Sequence, residues 1–342
     1  MTGGALVGIA TVALLLGSSA SDLRVSLRTT AGAYLADIAA IAPVAGHETT
    51  FDYYERLNED LVELDSAVPQ GYAPEQWSQT VTRTANLDLD LATQLIHRSY
   101  RSMASVRGLA EILVRSSRDG TMQPAAVYVP SGYVPGRPAP LIVLLHGDPQ
   151  SETQLLGAPY LATLADQTGA IVVAPWGRGY HDFRGSASDV YDALHEAQRA
   201  FTIDPQKRFL AGYSMGGFSV FEVAPDHPES WDAVMCIAGS ILGSDSERVI
   251  ARMAHTPFYI LTGSADETIP TQYPTSTAAF LIAAGFDVSF YSQLGGNHRL
   301  SSLMPILTQS WNDMLRGIMR APPPSFGKLA LPAETSSNGR PP

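Results

Sequence analysis

Residues 210–217 read LAGYSMGG. A serine sits among glycines at the end of an apolar run from Arg208 to Tyr213. The pattern Gly212-Tyr213-Ser214-Met215-Gly216 is G-x-S-x-G, placed between a strand-like run and a helix-like one. A strand that turns into a helix at a single residue forces that residue into a strained backbone conformation. Side chains two positions either side would collide, so glycine is required at both. Such a turn lifts the Ser214 hydroxyl into solvent at the C-terminal edge of the sheet. The helix that starts after it aims backbone N–H groups at the same spot. With 29 glycines in 342 residues the bare pattern is weak. The strand–turn–helix setting gives it its force.

Working outward, PLIVLLHG (140–147) and GAIVVAPWG (169–177) are continuous apolar runs rich in Val and Ile, as expected of strands buried on both faces. Further strands are expected at 207–213, 231–239, 257–263 and 287–294. Helical patterns fall between them, including 244–254 and 273–285, with a last helix at 301–319. Strands alternating with helices predict a doubly wound, mostly parallel α/β sheet flanked by helices. Upstream, AEILVRSSRDGTMQPAAVYVPSGY (110–133) holds two β-rich runs around Asp119-Gly120, which reads as a hairpin.

The first hundred residues differ. Phe51, Tyr54, Leu57, Leu61 and Leu64 fall at helical spacing, and a second helical stretch runs from about Leu87 to Val106. AVPQGYAPEQW between them reads as a loop. The expected organisation is therefore an apolar N-terminal segment (1–20), a helical extension (21–107), a catalytic domain (108–320) and a proline-rich tail (321–342). The apolar stretch Ala5 to Leu16, followed by Ser18-Ser19-Ala20, has the size and cleavage site of a secretory signal and is too short for a membrane span, so it reads either as an export signal or as an N-terminal helix or strand packed on the domain of a cytoplasmic protein. No Lys or Arg precedes it.

The net charge of −11 and the lack of any Lys/Arg run exclude phosphate neutralisation, and with it a nucleic-acid partner. A single cysteine, Cys236, rules out an intrachain disulfide and a four-cysteine metal site, and reads as a small core residue.

A serine hydroxyl at neutral pH needs a base, and the base needs an acid to orient it. A nucleophile presented this way is followed in chain order by the acid and then the histidine. LTGSADETIP puts Asp266 just past the strand at 257–263. QLGGNHRL puts His298 in a glycine-loosened loop past the last strand. Both lie at the edge that displays Ser214, where a parallel sheet keeps its site. Asp245 and Glu267 compete for the acid. His227 and His255 flank prolines or helix ends, and His181 and His195 precede the serine. A tetrahedral oxyanion needs two donors. Met215 N–H, one residue past the nucleophile, is one. Asp148 N–H, in the turn after LLHG, is the other. Its carboxylate would repel an oxyanion, so it is expected to point away or to pair with Arg178 or Arg184. Trp176, Tyr180 and Phe183, in PWGRGYHDFRG, are candidates for the wall of an acyl or aromatic pocket; the other reading puts Trp176 in the core and the other two at the surface.

LIVLLHG, APWGRGY, FTIDPQKRFLAGYSMGG, LTGSADETIP and GGNHR together resemble the α/β-hydrolase superfamily. They are most similar to the feruloyl esterases, polyhydroxybutyrate depolymerases and related secreted carboxylesterases. The resemblance covers about residues 108–320 and implies hydrolysis of a small or polymeric ester without cofactor; no metal and no stable membrane insertion are expected. Many lipases of this superfamily carry a helical lid between the strands that flank the acid. Here SILGSDSERVIARMAHT leaves room for one helix, which predicts a site open on that side. Two other readings remain: a serine peptidase of the prolyl-oligopeptidase type, and a catalytically dead binding protein on a hydrolase fold. The former carries a propeller that a hundred helical residues cannot build. The latter is disfavoured by the intact Ser, Asp and His.

Overall fold

The run that ends at Ser214 lies in the middle of an eight-stranded sheet. In the computed structural model, which describes residues 20–69, 73–179 and 183–320, the chain divides into two compact units at Tyr100/Arg101. The signal-like segment up to residue 19, Tyr180 and the tail 321–342 lie outside the described residues. Among the described residues no helix is long and apolar enough to cross a membrane.

Among its described residues the first unit is built of four helices: α1 (Ala20–Ala36), α2 (Ile38–Ala45), α3 (His47–Asp65) and α4 (Pro74–His97). The expected loop at 67–77 ran too far. Pro74 opens α4 instead, because a proline at the first helical position loses no intrahelical bond and its fixed φ suits the turn. The helix stops at His97, where Arg98 turns left-handed (φ 51°), short of the Val106 expected from the pattern.

The interior of this unit is not purely apolar. The Arg56 guanidinium bonds Asp88 (2.6 Å) and lies over the Tyr53 ring, 4.5 Å from its centroid. Asp60 is buried beside that pair, and its Oδ2 has no hydrogen-bond partner. Burial, and then the nearby Asp88 carboxylate, hold the Asp60 carboxyl well above the usual carboxylate range. A carboxyl whose folded value is raised stabilises the fold below its unfolded value, and that contribution is lost as pH rises through the folded one. The thermal transition of this unit, followed by circular dichroism in the full chain, is therefore expected to fall from mildly acid to alkaline buffer. Asp60→Asn, which keeps the shape without the charge, should flatten that dependence. An unchanged dependence in Asp60→Asn would contradict it.

The second unit begins with the hairpin read from Asp119-Gly120: β1 (Gly108–Arg115) and β2 (Met122–Val129), antiparallel from Gly108↔Val129 to Arg115↔Met122. There follow β3 (Ala139–Leu145), α5 (Glu152–Gly157), α6 (Pro159–Thr168), β4 (Ile171–Pro175), α7 (Ala187–Ala200), β5 (Ile203–Tyr213), α8 (Met215–Val223), β6 (Ala233–Ile237), α9 (Gly243–Arg252), β7 (Phe258–Gly263), α10 (Gln272–Ala283), β8 (Val288–Gln293) and α11 (Met304–Arg316). The strand order is β1-β2-β4-β3-β5-β6-β7-β8. Only β2 runs against its neighbours; the pairs from β4 through β8 are parallel.

Period-two alternation splits the apolar runs between two layers. In β3, Leu141, Val143 and Leu145 join a core with Val190 and Leu194 of α7, Phe221 of α8 and Leu281 of α10. Ile142 and Leu144 face the other core, with Leu161 of α6 and Trp311 of α11. With both faces covered, every side chain of β4, β6 and β7 is buried, which is why these strands read as unbroken apolar runs. Cys236 lies fully buried in β6, and burial pushes its thiol up.

Candidate active site

The parallel strands β3, β5, β7 and β8 end at one edge, and the turns that leave them meet there. Ser214 is the hinge between β5 and α8, with φ 54° and ψ −115°. A non-glycine residue held there costs on the order of 1–3 kcal/mol, so the neighbours must impose it. They do so by close approach. A Cβ on Gly212 would stand 2.0 Å from the Gly216 carbonyl oxygen, and one on Gly216 would stand 2.4 Å from the Leu145 carbonyl oxygen. Ser214 N–H donates to Ile237 O of β6 (2.9 Å), and Gly216 N–H donates to His146 O (3.0 Å). The elbow is thereby pinned to the strands on both sides of β5.

His298 stands over the serine. Its Nε2 lies 2.8 Å from Ser214 Oγ and its Nδ1 lies 2.8 Å from Asp266 Oδ2. The Asp266 side chain is fully buried, while that of His298 keeps about a fifth of its surface open. Asp266 Oδ1 accepts backbone N–H bonds from Thr268 (2.9 Å) and Ile269 (2.8 Å), so the carboxylate is fixed at both oxygens. The acid loop and the histidine loop are laced together. Ala265 N–H donates to Gly296 O (2.8 Å), and a Cβ on Gly263 would meet that same oxygen at 2.3 Å. Thr271 Oγ1–H, a partner with no signature in the sequence, donates to Gly263 O (2.7 Å).

The structure thus brings Ser214, Asp266 and His298 together and keeps the rival acids apart. Asp245 is buried in the first turn of α9, facing Arg184 at 3.5 Å, and Glu267 is exposed. A single helix, α9, separates β6 from β7, as expected of a site without a lid there.

The turn after β3 comes up against Ser214: a Cβ on Gly147 would lie 3.0 Å from Ser214 Cβ. The next N–H is that of Asp148, and the Asp148 side chain is exposed. Neither cation expected to pair with it does so. Arg178 bonds Asp119 (2.5 Å) and Asp189 (2.6 Å), tying the β1–β2 turn to α7. Arg184 bonds Glu222 of α8 (2.6 Å). Each is drawn to a buried or half-buried carboxylate, where ion pairing is stronger than with one in open water.

Two of the proposed pocket walls are also corrected. Trp176 and Phe183 are fully buried. Their rings pack on His146, Trp176 stacked at 5.4 Å and Phe183 edge-on at 5.1 Å, and His146 Nε2 lies 3.0 Å from Trp176 O. They support the turn after β3 from beneath instead of facing a substrate. His146 itself was not singled out in the sequence, although the HG pair directly after an apolar run marks it. Tyr180 lies outside the described residues.

Among solved structures the second unit resembles a thermostable esterase (TM-score 0.51, 20% identity, 62% of this chain and 63% of that one) and a ferulic acid esterase (TM-score 0.51, 15% identity, 61% and 98%). The fold is that of the α/β-hydrolases. The esterase family model, described as "Putative esterase", matches residues 116–247 of this chain, a span that includes Ser214 and stops short of Asp266 and His298. A curated relative, the bifunctional acetylxylan esterase/xylanase XynS20E of Neocallimastix patriciarum, is 31% identical over 100 residues. That alignment takes in 28% of this chain and 15% of the relative, so the chain spans a small part of that protein's length.

Proposed function

We propose that the chain is a serine carboxylesterase that cleaves short acyl esters through an acyl-enzyme on Ser214. The unbroken Ser214–His298–Asp266 line, 2.8 Å at each step, carries this reading. His298 Nε2 accepts the Oγ proton as Oγ bonds the acyl carbon. The carbonyl π pair moves onto oxygen, and the N–H groups of Met215 and Asp148 hold that oxyanion. Met215 opens α8, so its N–H is one of the first-turn donors without an intrahelical acceptor. Collapse of the tetrahedral species expels the alkoxide, which takes the proton from the imidazolium. Water then repeats the attack and frees the acid. Asp266 keeps the imidazole in the tautomer that leaves Nε2 free to accept, and offsets its charge once protonated. The Asp148 carboxylate stands in water, where solvent screens it from the oxyanion.

Esters are favoured over peptides by the family match across the nucleophile. A short acyl group is favoured over a cinnamoyl one because Trp176 and Phe183, two of the aromatic residues read as a pocket wall, are buried against His146, and the curated relative's name includes an acetyl-ester activity. In pH-stat assays, methyl butyrate is expected to turn over faster than methyl ferulate. Faster ferulate turnover would overturn the acyl preference. No turnover of either above a Ser214→Ala blank would overturn the esterase reading itself.

A further inference from the structure

Building on the esterase reading, we propose that Tyr213 is a positioning residue for the base, holding the loop of His298 in register with the nucleophile. Tyr213 is the unspecified residue of G-x-S-x-G, and nothing about the elbow's backbone demands an aromatic side chain there. It is the last residue of β5, fixed by its pairing with Ile237 of β6. Its hydroxyl donates to the backbone carbonyl of His298 (2.7 Å). Its ring lies against the imidazole, with centroids 5.4 Å apart and planes 31° from parallel. The ring also borders the turn after β3: a Cβ on Gly147 would lie 3.2 Å from its Cδ1 and 3.3 Å from its Cε1. One side chain therefore touches the loop of the base and the loop of the proposed oxyanion donor, and is bonded through the backbone to the nucleophile.

The histidine loop has need of such a tie. It leaves β8 through Gly295, with φ 70°, and Gly296. Its other backbone bonds hold the residues on either side of His298: Gly296 O accepts from Ala265 N–H, Asn297 N–H donates to Ser302 Oγ (3.1 Å), and Arg299 N–H donates to Asn297 Oδ1 (3.0 Å). The Tyr213 hydroxyl holds His298 itself. An imidazole that must reach Ser214 Oγ and Asp266 Oδ2 together tolerates little displacement, and a small misplacement of a catalytic group slows the chemical step without weakening substrate binding.

The test is steady-state kinetics of Tyr213→Phe and Tyr213→Leu on methyl butyrate, beside wild type and Ser214→Ala. Tyr213→Phe removes the hydroxyl alone and is expected to lower kcat about tenfold, with KM within about twofold. Tyr213→Leu also removes the ring, and should lower kcat about a hundredfold. In the wild-type proton NMR spectrum the Nδ1–H of His298, shared with Asp266, should give a low-field resonance that moves or broadens in Tyr213→Phe while the thermal midpoint stays put. A wild-type kcat in Tyr213→Phe would overturn the proposal. A raised KM at unchanged kcat would do so too, since it would mean that the side chain acts on substrate binding and not on the base. If Tyr213→Leu does not fold, the Phe variant decides alone. Full activity in Ser214→Ala would instead sink the esterase reading, so the two failures are told apart.

Discussion

Ser214→Ala is expected to lower ester turnover by about 10⁴–10⁶-fold while leaving the fold intact. The size of the effect follows from what the hydroxyl does. Without Oγ there is no acyl-enzyme, and the donors around the elbow can only assist water, which explains the small residual rate. Stability should change little, because the strained backbone at Ser214 is imposed by the close approach of Gly212 to Gly216 and by the bond to Ile237 O, none of which involves the side chain. Alanine meets the same positive-φ cost as serine. Turnover by pH-stat and the thermal midpoint by circular dichroism check both halves, and a variant that keeps the wild-type rate would contradict the site.

Asp266→Asn is expected to lower the rate by about 10³–10⁴-fold, with the protein still folded. Oδ1 of Asp266 accepts two backbone N–H bonds, from Thr268 and Ile269, so an asparagine keeps its own oxygen there. Its amide nitrogen then takes the place of Oδ2, where it donates to His298 Nδ1. The proton moves to Nε2, and the imidazole can no longer accept from Ser214. Asp245→Asn is the control: Asp245 faces Arg184 from α9, so its loss should leave turnover within a few-fold of wild type. A large loss in Asp245→Asn with an active Asp266→Asn would move the acid.

The candidate site was legible in the sequence because the chemistry expected of it restricts both residue type and place. Ser214, Asp266 and His298 each had to stand just past the end of an apolar run, and the order of those runs brings them to one edge. The sheet was legible for the same reason, since strands covered on both faces carry unbroken apolar runs. What sequence left hidden was direction. Trp176 and Phe183 follow a strand end whether they face solvent or His146, and only packing decides between the two. Arg178 and Arg184 had several carboxylates within reach along the chain. Their partners include Asp189 and Glu222, acids already buried in α7 and α8, with the exposed Asp119 of the β1–β2 turn also joining Arg178. In the first unit the proline at 74 reads equally as a loop or as the start of a helix, and the structure takes the second. Tyr213 carries no signature at all, because its tie to His298 spans 85 residues.

The most direct test of the central claim is active-site labelling. The wild-type protein is incubated with a fluorophosphonate, digested and mapped by mass spectrometry. A single adduct on Ser214, formed far more slowly in His298→Ala, is the predicted result. A protein that takes up no label, or carries it on a residue other than Ser214, would contradict the assignment of this serine as the nucleophile.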